Sequence, residues 1–308
     1  MTAFQNESPL KISNLHKSYG NFNVIRNLNL ELTANSIHGL VGLNGSGKTT
    51  TLECILGMQE FNQGTIEVLG LRPSQLYKSR GAIVGIFDTP SLHPNLTVRQ
   101  SLEHARLLCD KPVRSCEDVE TLLGITAYRG FKIRHLSLGN KRRASIAHAL
   151  IGNPELVVLD EPFNGLDAEG VEDVLQLIRD LNHEQGTAFL LSSHQLPYLE
   201  QICSHLAILH QGTIAVSGKI ESLFEAHKTQ ILIACDQPDR AIALVEKAGV
   251  AKLKSTEQSL LQFELLKGDS AQLNRLLVQA DIGVSELSLK RDSLVSLFHE
   301  ITTPEPQD

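Results

Sequence analysis

The chain has 308 residues and a formal net charge of −7, long for one compact core and enough for a main domain with a smaller companion. Hydrophobic residues at 42% and charged residues at 20% are ordinary for a globular enzyme, and the acidic balance speaks against a broad nucleic-acid or anionic-lipid surface. Five scattered cysteines without a C-x-x-C pair exclude a disulfide scaffold. No run nears the ~20 apolar residues of a membrane span, and MTAFQNESPLKIS does not read as a signal peptide.

In chain order, 28–32 and 37–41 read as strands and 47–56 as a helix, followed by strands at 66–69 and 83–87. From 94 to about 132 the pattern turns helical, with apolar residues at three- and four-residue spacing over 98–108 and 117–123. The alternation then resumes: helix 140–151, strand 156–159, helix 168–182, strand 187–192, helix 196–203 and strand 206–209. Such alternation predicts a largely parallel sheet covered on both faces, with a helical subdomain at about 94–150 inserted into it.

Beyond 228 the order is strand 229–235, helix 238–248, strands 251–255 and 260–265, helix 270–280 and strand 282–289. This β-α-β-β-α-β order predicts a small ferredoxin-like α+β domain at 229–302. It ends with a helix at 293–302 and a polar, proline-bearing tail at 303–308 expected to be disordered. The main α/β domain is placed at 10–226.

GLNGSGKT at 42–49 matches G-x-x-x-x-G-K-[ST] in full, after a strand and before a helix. Glycines let such a loop fold tightly, so that its backbone N–H groups converge on phosphate oxygens while the helix dipole points at the same anion. Gly42, Asn44, Gly45, Ser46, Gly47, Lys48, Thr49 and Thr50 are therefore the candidate phosphate-binding positions. Lys48 is expected to reach the β- and γ-phosphates and Thr49 to ligate Mg²⁺. Alone, the loop indicates only a nucleoside triphosphate; a kinase, a GTPase and a transporter subunit all remain open.

LVVLDEP at 156–162 is an apolar strand ending in two acids. Asp160 is placed to hold Mg²⁺ opposite Thr49, and Glu161 to polarise a water as general base. LSLGNKRR at 136–143 opens a helix 23 residues earlier, counted from Ser137 to Asp160. It resembles the signature motif of ATP-binding-cassette (ABC) ATPases.

That resemblance spans 10 to about 226 and carries further positions with it. It implies a P-loop cassette that binds and hydrolyses ATP with Mg²⁺. In that family Ser137 and Gly139 contact the nucleotide of a second subunit, so a head-to-tail homodimer is implied. Asp167 matches the D-loop and His194 the switch histidine that orients Glu161 and the water. Tyr19 matches the aromatic residue that stacks on adenine, although a tyrosine there serves equally as packing.

Asp88 stands where the family usually has Gln, which meets Mg²⁺ and the attacking water. Subunits of bacitracin-resistance and lantibiotic-immunity transporters have Glu there, followed by a Pro…Pro-Asn-Leu-Thr run like Thr89-Pro90 and 94–97 here. The chain is similar to that branch, with Asp for Glu and with Leu138 and Asn140 departing from LSGGQ. This implies a peripheral subunit on the cytoplasmic membrane face, paired with an ABC-2-type membrane permease and exporting a peptide, antibiotic or lipid-like compound. A non-transport ABC ATPase acting as a mechanical switch is the alternative. No nucleic-acid partner is expected.

Overall fold

The computed structural model describes residues 8–88, 92–109, 112–225, 230–257, 260–290 and 294–302. Thr89 and Pro90, Thr229, Ser293 and the tail at 303–308 lie outside these residues. Two compact units divide the chain between Ile220 and Glu221.

The first unit opens with β1 (Leu10–Tyr19) and β2 (Phe22–Leu32), an antiparallel pair in which Tyr19 stands opposite Phe22. β1 is absent from the predicted elements, and β2 starts well before 28. Register shifts after Ile12, Leu15 and Lys17 break the two-residue alternation by which a strand shows in sequence. β3 (Ile37–Val41) is buried along its length and leads through the glycine loop into α1 (Lys48–Ile55). β4 (Gln63–Val68) completes a three-stranded sheet in the order β2-β1-β4, and β5 (Ile83–Ile86) follows.

The helical layer contains α2 (Val98–Leu108) and α3 (Cys116–Leu122), each started by a capping box, Thr97 with Gln100 and Ser115 with Asp118. α4 (Leu138–Ala149) begins two residues earlier than predicted, because the Ser137 hydroxyl accepts from the Asn140 N–H at 3.3 Å and caps it there. Then come β6 (Leu156–Asp160), α5 (Ala168–Gln185), β7 (Ala188–Ser193), α6 (Leu196–Ile202), β8 (His205–His210), β9 (Thr213–Lys219) and, starting at the division between the two units, α7 (Ile220–Glu225). β9 is also new relative to the sequence reading: it is an edge strand without a buried residue, so no apolar run marks it.

The second sheet has the order β5-β6-β7-β3-β8-β9, with all neighbours parallel except β8 and β9. Leu40, Val158 and Leu190 of this sheet share one core with Leu10, Leu15, Leu28 and Leu32 of the other, and with Leu52 and Ile55 of α1. Each fully buried leucine contributes ~1.5–3 kcal/mol. α1 is thereby fixed beside the carboxyl ends of β3, β6 and β7, the end of a parallel sheet where sites form.

The second unit holds β10 (Gln230–Cys235), α8 (Pro238–Ala248), β11 (Ala251–Glu257), β12 (Leu260–Leu265), α9 (Ser270–Gln279), β13 (Val284–Lys290) and α10 (Leu294–Thr302). The strand order β11-β12-β10-β13, antiparallel throughout, is the split βαβ arrangement of a ferredoxin-like fold. Ile231, Ile233, Phe263, Leu273 and Leu277 are central to its core. Among the five free cysteines, Cys54, Cys116 and Cys203 are buried, whereas Cys109 and Cys235 are half-buried.

Candidate functional site: a phosphate loop facing two strand-end acids

Val41 closes β3, and the chain turns through Gly45 (φ 82°) and Gly47 (φ 106°) before α1 begins. Both glycines sit in the left-handed half of backbone space, which other residues adopt only with strain. Lys48 is 7% exposed. Its Nζ donates to the Gly42 carbonyl at 2.8 Å and lies 3.9 Å from Glu161 Oε1. Burial pulls its pKa down, while the carboxylates of Glu161 and then Asp160 oppose that shift. α1 has no acidic residue in its own first turn, so the carboxylates that face its positive end come from β6 and the residue after it.

Parallel pairing sets Asp160 beside Ser192 and Val41 beside Ser193, so three strands end together. The Thr49 hydroxyl donates to Asp160 Oδ2 at 2.9 Å, and the Ser192 hydroxyl donates to Asp160 Oδ1. Glu161 leaves the strand with φ 47°, uncommon for a non-glycine residue. That turn swings its carboxylate away from Asp160 and towards β7. There Ser193 Oγ donates to Oε2 at 3.0 Å, and His194 Nδ1 pairs with Oε1 at 2.9 Å. The Glu161 N–H donates back to the Ser192 carbonyl at 2.9 Å.

These groups surround one cavity of about 570 Å³, lined by Phe22, Val24, Asn44, Gly45, Gly47, Lys48, Thr49, Thr50, Asp88, Asp160, Glu161, Asn164 and His194. Most of the sequence-predicted positions are thus gathered in one place. Gly42 and Ser46 belong to the loop but do not line the cavity. A side chain at Gly42 would collide with Ser46 and with the Leu209 carbonyl. Ser137, Gly139, Asp167 and Tyr19 do not line the cavity. Ser137 caps α4, and Asp167 caps α5 by accepting from the Gly170 N–H at 2.9 Å. Gly139 lies against Leu166 and the Gly165 carbonyl.

Tyr19 is about half exposed and carries Lys17 Nζ 4.6 Å above its ring. Its cross-strand neighbour Phe22, 68% exposed, is the aromatic that reaches the cavity. Sequence reading missed Phe22 because an exposed aromatic in a strand carries no pattern of its own.

Also unforeseen are Asn164, Gln195 and Arg142. Asn164 Nδ2 donates to Asp88 Oδ1 at 3.2 Å, and Gln195 Nε2 donates to Asn164 Oδ1 at 2.9 Å. Arg142, 1% exposed, forms an ion pair with Asp88 at 3.0 Å. A signal for Arg142 was present: it shares the buried stripe of α4 with Ser145, Ile146 and Ala149, at helical spacing. An arginine on such a stripe needs partners.

The family model described as ABC transporter matches residues 25–164. The "Bacitracin transport ATP-binding protein BcrA" of Enterococcus faecalis is 32% identical over 227 residues, covering 72% of this chain and 73% of that protein. Its counterpart from Bacillus licheniformis is 29% identical over 295 residues, covering 94% and 95%. The "Uncharacterized ABC transporter ATP-binding protein YhaQ" of Bacillus subtilis is 30% identical over 296 residues, covering 94% and 97%. A solved "ATP binding subunit of ABC transporter" superposes with a TM-score of 0.66 at 27% identity, covering 70% of this chain and 92% of that one. The dimeric cassette MJ0796, at 23% identity and TM-score 0.63 over 68% of this chain and 98% of its own, shares the fold. The chain belongs to the ATP-binding proteins of ABC transporters, and is an ATPase of that family.

Proposed function

We propose that this chain drives an ABC-2-type membrane permease that exports a peptide, antibiotic or lipid-like compound, working as a homodimer at the cytoplasmic membrane face. The observation that carries the catalytic part is the Glu161 carboxylate. Ser193 and His194 hold it at the rim of the cavity that also contains Lys48 and the Thr49–Asp160 pair.

The loop N–H groups from Asn44 to Thr50 and the Lys48 ammonium bind the triphosphate, and Tyr19 with Phe22 offers the aromatic surface for adenine. Glu161 accepts the proton of the water that attacks the γ-phosphorus as the bond to ADP breaks; His194 keeps the carboxylate oriented. Thr49 and Asp160 set hard oxygen donors 2.9 Å apart, a donor set that fits Mg²⁺, and Asp88 adds a third oxygen nearby. Bound there, the ion would neutralise charge on the phosphate oxygens. Ser137, Gly139 and Asp167 lie away from the chain's own cavity, which supports their serving the nucleotide of a second subunit.

Coupling to a partner in the membrane is supported by the absence, among the described residues, of any helix long and apolar enough to cross a bilayer. The relatives named for bacitracin transport support export. We place the working cassette at 10–226 and an accessory domain at 229–302. Co-expression with a six-span membrane protein encoded beside this gene tests the reading. A purified complex whose ATPase responds to an exported peptide is the expected result. Failure to associate with any permease, together with ATPase activity indifferent to Glu161→Gln, would overturn it.

A further inference from the structure

Arg142 heads the large side chains that are fully buried among the described residues. Its guanidinium ties α4 to two other segments, residues 87–88 just past β5 and Glu161 just past β6. Nη1 donates to the Phe87 carbonyl at 2.7 Å. Nη2 donates to the Asp88 carbonyl at 2.8 Å, to Asp88 Oδ1 at 3.0 Å and to the Glu161 carbonyl at 3.2 Å. Nε has no partner among the described residues. Removing a guanidinium from water is costly, and apolar side chains of similar volume often stabilise a core as well or better. A buried arginine spread over β5, α4 and β6 is therefore explained by the geometry it enforces rather than by stability alone.

What it enforces is specific. Glu161 has a left-handed backbone (φ 47°), a conformation that a non-glycine residue keeps only where its surroundings hold it. Arg142 grips its carbonyl. The same nitrogen holds Asp88 Oδ1, which Asn164 also reaches, and neutralises a carboxylate that would otherwise face a triphosphate unpaired. Arg142 sits on the helix capped by Ser137, so the link ends on the signature segment.

We propose that Arg142 is the positioning residue of this ATPase, fixing Glu161 and Asp88 relative to the helix that carries Ser137 and Gly139. It acts through Glu161, and so rests on the general-base role proposed above.

The test uses the full chain with Arg142→Lys, Arg142→Gln, Asp88→Asn, the pair Asp88→Asn/Arg142→Gln and, as a reference, Glu161→Gln. Lysine keeps the charge but not the planar fork. Arg142→Lys is expected to lower kcat about tenfold while KM for ATP and the thermal midpoint hold, because the base is misplaced rather than lost. Arg142→Gln falls further, and adding Asp88→Asn recovers part of that loss, because the stranded carboxylate is then neutral. Should Arg142→Gln not fold, the kcat-against-KM split of Arg142→Lys decides alone. Wild-type kcat in Arg142→Lys, or equal losses in kcat, ATP affinity and thermal midpoint, overturns the proposal. If Glu161→Gln still turns over normally, the general-base reading fails instead; an inactive Glu161→Gln beside a fully active Arg142→Lys sinks only the positioning role.

Discussion

In the unit that ends at Ile220, the buried side chains include Lys48, Glu120, Arg142, Asp160 and Glu161; in the unit that begins at Glu221, every buried side chain among the described residues is apolar. The two cores are assembled differently. A parallel sheet gathers the carboxyl ends of strands that are distant in sequence, so charged groups from residues 48, 88, 142, 160 and 161 can satisfy one another. The split βαβ unit closes locally around Ile231, Phe263 and Leu273 and has no such meeting point. The first arrangement accepts the cost of buried charge for chemistry, and the second carries none of that cost.

The sharpest way to break this contrast is Glu161→Gln. Hydrolysis should fall by about 10²–10⁴-fold with ATP binding retained, as measured by phosphate release and nucleotide titration. A wild-type rate would remove chemistry from the polar core. Next in size, Phe263→Ala should take about 3–5 kcal/mol from the second unit. Calorimetry should then show one transition moving down while ATPase turnover holds, and a matching collapse of turnover would mean that the units are not independent.

Asp88→Gln should leave ATP affinity near wild type but change kcat by about three- to tenfold and alter the ATP hydrolysed per substrate transported, since Arg142 loses its carboxylate. Unchanged turnover and transport in that variant would leave Asp88 a bystander.

The smallest effect concerns His38. Burial, with a lesser push from the stacked His205, holds its pKa down at about 3 against 6.5 for the free side chain. Its Nε2 accepts the Thr33 N–H at 3.1 Å, which requires the neutral ring. The folded-state pKa is depressed, so the stabilisation is complete above 6.5 and fades as pH drops from there towards about 3. The unfolded chain binds the proton that the folded one excludes, with a slope of at most ~1.4 kcal/mol per pH unit. Urea titrations across that window should show a shallower fall in His38→Gln; an unaltered slope would assign the acid sensitivity elsewhere.

Much of the site was legible because its parts are short and local. The 42–49 loop and the 156–161 strand each couple a residue type to a strand end or helix start within a few positions, and the fold merely brings them together; Ser137 is as local a signal, but it caps α4 away from that cavity. The Arg142–Asp88–Asn164–Gln195 chain was not legible. Its members are spaced up to 107 positions apart (195 − 88), and no local pattern ties them to one another. The missing strands have equally physical causes. Bulges in β1 scramble the alternation, and β9 buries nothing. The left-handed turn at Glu161, which separates the two acids, leaves no mark in an Asp-Glu-Pro string.

The five thiols carry a practical consequence for spectroscopy. Cys54 and Cys203 are buried where desolvation raises their pKa, the first to about 11, which keeps them protonated and slow towards alkylating reagents. Burial raises Cys116 in the same direction. Cys109 and Cys235 are the more open pair, one in each unit. The native chain therefore comes with a donor and an acceptor position for fluorescence energy transfer, without an engineered residue. A distance between those labels, followed as ATP is added and hydrolysed, would report directly on whether the spacing of the two units changes with the nucleotide.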